Sequence, residues 1–207
     1  MTALVFLDFA SVFVFALTGA LVASRAQLDV VGFAFIACLT AVGGGTLRDL
    51  LLGRDVVFWV AQPGYILLAC GAALIVFFTA HLVESRYRVL LWLDSLALGI
   101  AVAAGVGVAM ELQHNAVIIV LMGISTGCLG GLMRDVVCNE VPLVLKQGEI
   151  YATAAFLGAI SAVVATSLGI VGLPALAICA AVTWILRAGS MVWDWKAPVY
   201  KPRPPRQ

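Results

Sequence analysis

Charge is scarce in this sequence. Lysine and arginine number 12 and aspartate and glutamate 11, so 11% of the 207 residues are charged while 63% are hydrophobic. Soluble domains carry about 25% charged and about 45–50% apolar residues, and a domain of this size has too little interior to hide the excess. A formal net charge of +1 leaves no basic face for nucleic acid. Histidine is limited to His81 and His114, each alone at the end of an apolar stretch. The cysteines Cys38, Cys70, Cys128, Cys138 and Cys179 form no CxxC pair and lie among apolar residues, which suits small buried hydrophobes rather than disulfides or a metal site. No Ser-His-Asp set is present, and the glycine run lacks the Lys-Ser/Thr ending of a phosphate loop. No enzyme chemistry, cofactor or metal site is expected. The first residues, Met1-Thr-Ala-Leu-Val-Phe-Leu-Asp8, have no basic n-region and read as the start of a retained span. The chain reads as a polytopic membrane protein.

About 20 apolar residues cross a hydrocarbon core of roughly 30 Å. Spans are expected near 5–24, 30–52, 64–83, 89–110, 116–138, 150–167 and 171–190. The last two come from one uncharged stretch, 150–186, about 55 Å long as a helix and so too long for one crossing. It is expected to break at Ser167-Leu-Gly169-Ile-Val-Gly172-Leu-Pro174, where the glycines end one helix and Pro174 suits the first turn of the next. With seven spans the termini lie on opposite sides. Arg25, Arg86, Arg88, Lys146, Lys196, Lys201, Arg203 and Arg206 collect on one side, and Arg54 stands nearly alone on the other. The positive-inside rule then places the C-terminus in the cytoplasm and the N-terminus outside, with Trp184, Trp193 and Trp195 around Arg187 at the cytoplasmic interface.

A shift of 86 residues lays the chain on itself without a gap. Leu7-Asp8 falls on Leu93-Asp94, Gly19 on Gly105, Val22-Ala23 on Val108-Ala109, Gln27 on Gln113 and Val31 on Val117. Thr40 falls on Thr126, Gly44-Gly45 on Gly130-Gly131, Arg48-Asp49 on Arg134-Asp135 and Tyr65 on Tyr151, making 13 identities over positions 6–65. Chance matches in an apolar chain do not produce two aligned Gly-Gly-x-x-Arg-Asp runs. Three spans per repeat force the second copy to enter the membrane in the opposite sense, an inverted repeat of the kind that places a pathway at the repeat interface. The expected fold is all-α and integral to the membrane, with two inverted three-helix repeats plus a seventh helix. The expected units are a first repeat over 1–87, a second over 88–168, the seventh helix over 169–192 and a basic proline-rich cytoplasmic tail over 193–207.

Spans 2 and 5 carry the chemistry. Consecutive glycines at Gly43, Gly44, Gly45 and at Gly130, Gly131 each weaken a helix by about 1 kcal/mol relative to alanine. Carbonyls freed by a break are tolerated in lipid only where they face protein or a wet cavity. The same glycines equally suit close helix packing. Arg48 and Arg134, with Asp49 and Asp135, follow four residues on; an intramembrane arginine pairs or faces water, or, near a helix end, snorkels to the interface. Two-fold symmetry permits crossed pairs, Arg48 with Asp135 and Arg134 with Asp49. Asp8 and Asp94 occupy equivalent first turns, where each lines a vestibule or complements its helix dipole. Arg54, Glu140 and Glu149 are read as solvated loop charges.

These segments, with Phe15-Ala16-Leu17-Thr18-Gly19-Ala20 and Ala41-Val-Gly43-Gly44-Gly45-Thr-Leu-Arg48-Asp49-Leu-Leu-Leu-Gly53-Arg54, resemble the prokaryotic branch of the trimeric intracellular cation channel family over nearly all of residues 5–190. The resemblance implies a homotrimer whose subunits each carry a pore for monovalent cations, potassium above all and sodium, kinked at Gly43, Gly44, Gly45, Gly130 and Gly131. It extends a polar lining role to Thr40, Thr126, Arg48, Asp49, Arg134 and Asp135. Membrane lipid is the surrounding partner, and a bacterial plasma membrane the expected location. A secondary transporter of a small solute such as glycine is the competing reading, since inverted repeats serve carriers as well as channels.

Overall fold

A computed structural model describes residues 3–83 and 85–198; residues 199–207 of the basic tail lie outside the described residues. Eight α-helices follow in order: α1 Ala3–Arg25, α2 Val30–Leu51, the short α3 Phe58–Ala61, α4 Gly64–Thr79, α5 Arg86–Glu111, α6 Ala116–Val137, α7 Ala152–Ser167 and α8 Leu173–Trp193. Short 3₁₀ turns cover Ala80–Leu82 and Leu143–Leu145. Among the described residues six helical spans are long and apolar enough to cross a membrane, and α7 is shorter at 16 residues, a rise of about 24 Å. The protein is an all-helical integral membrane protein.

Seven of the helices fall on the segments expected as spans, six of them long and apolar enough to cross and α7 shorter, and α3 is an extra short helix. α5 begins earlier than the apolar run because Arg86-Tyr87-Arg88 joins its first turn. The uncharged stretch breaks where expected: Gly169 and Gly172 take φ of 87° and 71°, a region nearly closed to other residues, and Pro174 follows in the first turn of α8.

α1 packs on α5, α2 and α4; α5 packs on α6 and α8; α2 crosses α6; α7 lies along α8. The 86-residue interval recurs in the details of the backbone. Asp29 caps α2 by accepting from Gly32 N–H at 2.7 Å, and Asn115 caps α6 by accepting from Ile118 N–H at 3.1 Å. Gln27 and Gln113 adopt φ of 54° and 55°, and Gly53 and Asn139 adopt 66° and 54°. Small residues set the helix separations. A Cβ on Gly19 would lie 2.7 Å from the Ile36 carbonyl oxygen, and one on Gly105 would lie 2.5 Å from that of Met122, so α1–α2 and α5–α6 make the same close contact.

Candidate functional site

α2 and α6 meet at the center of the molecule through their glycines. A Cβ on Gly44 would strike the Thr126 carbonyl oxygen, and one on Gly130 the Thr40 carbonyl oxygen. Both helices remain α-helical through these residues, which corrects the expectation of a break: the glycines permit close approach with the i to i−4 ladder kept. Thr40 and Thr126 lie at the same crossing. Each hydroxyl donates back to its own helix, to Ile36 at 2.6 Å and Met122 at 2.7 Å, a bond that bends helices locally. Gly43 faces the Met133 sulfur and Gly45 the Phe58 ring. Gly131 lies beside the second charged cluster, its would-be Cβ 3.6 Å from Arg134 Nη2 and from Asp94 Oδ1.

The charged motif folds into two separate buried clusters. Arg48 donates from Nε to Asp49 at 2.8 Å and from Nη1 to Asp8 at 2.9 Å. Arg134 donates from Nε to Asp135 at 2.8 Å and from Nη1 to Asp94 at 2.7 Å, and also to the Thr18 hydroxyl at 2.9 Å. Both arginines are fully buried. The crossed pairs allowed by two-fold symmetry are therefore not formed. A guanidinium presents its donors as a rigid fork, and the sequence neighbor plus the aspartate 40 residues earlier already engage Nε and Nη1. In each cluster two carboxylates face one guanidinium. Arg48 Nη2 and Arg134 Nη2 are buried with no protein partner among the described residues.

Asp49 and Asp135 have a second task. Asp49 Oδ2 accepts from Phe58 N–H at 2.8 Å, and Asp135 Oδ2 accepts from Leu143 N–H at 2.9 Å. Each thus ties the end of a spanning helix to the short helical turn after it, satisfying a backbone donor at that turn. Asp8 and Asp94, read as vestibule or helix-end residues, are buried members of the clusters.

Several participants escaped the sequence reading. Tyr151 donates its phenol hydrogen to Asp94 Oδ2 at 2.8 Å; its alignment with Tyr65 was the available signal. Tyr65 instead stacks on Phe9 at 4.0 Å and meets Phe58 edge-on at 4.8 Å. Arg187 is buried on α8, 2.6 Å from Glu149 and 5.1 Å over the Tyr151 ring. Nothing in the repeat marks it, because α8 stands outside the repeat. The loop charges are paired rather than free: Arg54 with Asp49 at 3.3 Å, and Glu140 with Arg25 at 3.3 Å.

Two cavities meet at Asp8. The wider, about 190 Å³, is lined by Leu4, Val5, Asp8, Arg54, Val108, Glu111 and Leu112. The narrower, about 10 Å³, is lined by Asp8, Ser11, Phe15, Thr40, Gly44, Gly45, Phe58 and Thr126 among others, with room for about one water. Asp8 thus lines both a charged cavity and the small space at the α2–α6 crossing.

With this geometry in view, the comparisons with known proteins are consistent. The family model described as Glycine transporter matches residues 5–81 and again 91–167. The UPF0126 membrane protein of Vibrio cholerae is 37% identical over 194 residues, covering 90% of this chain and 78% of that one. The UPF0126 inner membrane protein YadS of Escherichia coli is 35% identical over 201 residues, covering 94% of each. Among solved structures, the trimeric intracellular cation channel orthologue from Rhodobacter sphaeroides superposes with a TM-score of 0.90 at 42% identity, covering 94% of this chain and 100% of that one. A prokaryotic TRIC channel crystallized in 0.5 M KCl gives a TM-score of 0.87 at 26% identity, covering 92% and 96%. The second match of the family model to one chain follows the 86-residue repeat that brings the two Arg-Asp clusters into being. The chain belongs to the prokaryotic branch of the trimeric intracellular cation channel family.

Proposed function

We propose that the protein is a monovalent cation channel, passing potassium and sodium through a route within each subunit, assembled as a homotrimer in a bacterial plasma membrane. In this reading α7 is the sixth crossing, and the two three-helix repeats have opposite topology with α8 as the seventh helix. The N-terminus lies outside and the C-terminus in the cytoplasm. The route runs between α2 and α6 with α1 and α5 flanking. Gly43, Gly44, Gly45, Gly130 and Gly131 set its width, and Thr40 and Thr126 line it. Arg48, Asp49, Arg134 and Asp135, with Asp8 and Asp94, set its potential.

The observation that carries this reading is the shared position of Asp8. It faces the 190 Å³ cavity and the constriction at once, while holding Arg48 at 2.9 Å. A buried arginine repels a passing cation unless neutralized. Two carboxylates on Arg134 leave that cluster with one net negative charge, the sign a cation route requires, and Arg54 on Asp49 brings the Arg48 cluster to neutrality.

The test is purified protein in a planar bilayer under a potassium chloride gradient. Unitary currents reversing near the potassium potential are expected. A silent bilayer, with the same preparation accumulating labeled glycine in liposomes, replaces the channel with a carrier, the reading favored by the family description Glycine transporter.

A further inference from the structure

The loop charges carry a relationship that the charged motif alone does not. Arg25 ends α1 and Glu111 ends α5; they are 86 residues apart. Arg54 and Glu140 follow α2 and α6, also 86 residues apart. The backbone at these sites is equivalent, since Arg54 N–H donates to the Asp49 carbonyl at 3.0 Å and Glu140 N–H to the Asp135 carbonyl at 2.8 Å. The same two sites therefore hold two cations in the first repeat and two anions in the second. One pair is shut: Arg25 meets Glu140 at 3.3 Å. It is braced by Tyr87, which lies under Arg25 at 5.0 Å and accepts from Lys146 at 2.6 Å. The other pair is apart. Arg54 and Glu111 line the 190 Å³ cavity, and among the described residues no ion pair joins them; Arg54 rests on Asp49 at 3.3 Å.

We propose that Arg25–Glu140 and Arg54–Glu111 are reciprocal charge latches at the two ends of the subunit, one closing as the other opens. The proposal rests on the reading of a route through each subunit. α1 links the ends, because it is one uninterrupted helix that carries Asp8 in the open cavity and Arg25 in the shut pair. A tilt of α1 toward Glu111 narrows the cavity at Leu4, Val5 and Asp8 and draws Arg25 away from Glu140. Arg54 then exchanges Asp49 for Glu111. Glu140 has no such resting partner, because the residue equivalent to Asp49 is Asp135, of its own sign. Repeats that exchange conformations about a fixed center give this kind of alternation.

The experiment uses the full chain in native membranes with Arg54→Cys and Glu111→Cys, oxidized with copper-phenanthroline, and the 54–111 disulfide quantified by peptide mass spectrometry. Adding Glu140→Gln releases the shut latch, and the yield is expected to rise about two- to fivefold, the scale of one half-exposed ion pair. Adding the exchange Arg25→Glu with Glu140→Arg restores a pair and is expected to return the yield to its starting value. Equal yields in all three backgrounds overturn the latch, as does a rise in the exchanged background equal to that with Glu140→Gln. The crosslink is read without any flux. A responsive crosslink in a protein that passes no cation removes the channel reading and keeps the latch, while normal flux with an unresponsive crosslink does the reverse.

Discussion

Asp94 and Arg134 are 40 residues apart in the chain and 2.7 Å apart in space, and Asp8 and Arg48 repeat the same interval at 2.9 Å. Each guanidinium joins the first helix of its repeat to the second, while the neighboring aspartate carries the connection on to the turn that follows. The charge lost to solvent is compensated locally, by Asp94 and Asp135 around Arg134 and by Asp8, Asp49 and Arg54 around Arg48. Breaking a buried pair by removing one partner is far more costly than never having built it. The aspartates on α1 and α5 therefore fix helix positions.

The two aspartates are not equivalent in load. Asp94 accepts from Arg134 and Tyr151 and is 1% exposed, whereas Asp8 accepts from Arg48 alone and is 8% exposed beside a cavity. Asp94→Asn is expected to cost about 3–5 kcal/mol and to abolish the folded peak in detergent gel filtration. Asp8→Asn is expected to leave a folded protein with a lower melting temperature. Equal losses from the two substitutions contradict this ranking.

Tyr151→Phe tests the hydroxyl alone. The ring and its contact with Arg187 remain, and one hydrogen bond to a buried carboxylate is removed, a loss of about 1.5–3 kcal/mol. Thermal unfolding of the detergent-solubilized protein is expected to move down accordingly. Tyr65→Phe is expected to change little, because Tyr65 contributes through ring contacts with Phe9 and Phe58.

How far the sequence foretold this site differs from residue to residue. The paired Gly-Gly-x-x-Arg-Asp runs and the aligned Asp8 and Asp94 named the components, because a repeat preserves what a cluster needs. The partners were not legible, since symmetry about an axis permits crossed pairs as readily as pairs within a repeat. Only the helix positions decide which carboxylate each fork meets. The glycines were legible as special but not as to purpose: the same residues suit a break or a close crossing, and the ladder through Gly44 and Gly130 is kept. Arg187 was invisible because a charge near a helix end ordinarily snorkels, and its burial depends on Glu149 from another loop.

Gly44→Ala and Gly130→Ala place a methyl group against the carbonyl oxygens of Thr126 and Thr40. The listener on each side is backbone, which does not swing away as a side chain does. Both substitutions are expected to force α2 and α6 apart and to reduce the yield of folded protein. Gly71→Ala on α4 meets nothing within 4 Å and is expected to express and unfold as the parent does. Normal yield from both crossing variants removes the close-approach role.

Phe58 lines the narrow cavity, which shares Asp8 with the wider one. Its ring packs against Gly45, lies 5.3 Å from the Arg48 guanidinium carbon and lines the constriction with Asp8 and Thr40. Its position is set by Asp49, which accepts its backbone N–H at 2.8 Å. Phe58→Leu keeps that backbone bond and an apolar side chain, but removes a flat ring from the narrowest part of the proposed route and a cation–π contact from Arg48. Cation flux into proteoliposomes, measured with a potassium-sensitive dye, is expected to rise severalfold with little change in expression. Gly45→Ala works in the opposite sense, because the added methyl group is 2.6 Å from the ring edge and presses Phe58 toward the cavity. An unchanged flux in Phe58→Leu, with the variant folded, takes the ring out of the conduction path and moves the constriction to the Thr40–Thr126 crossing itself.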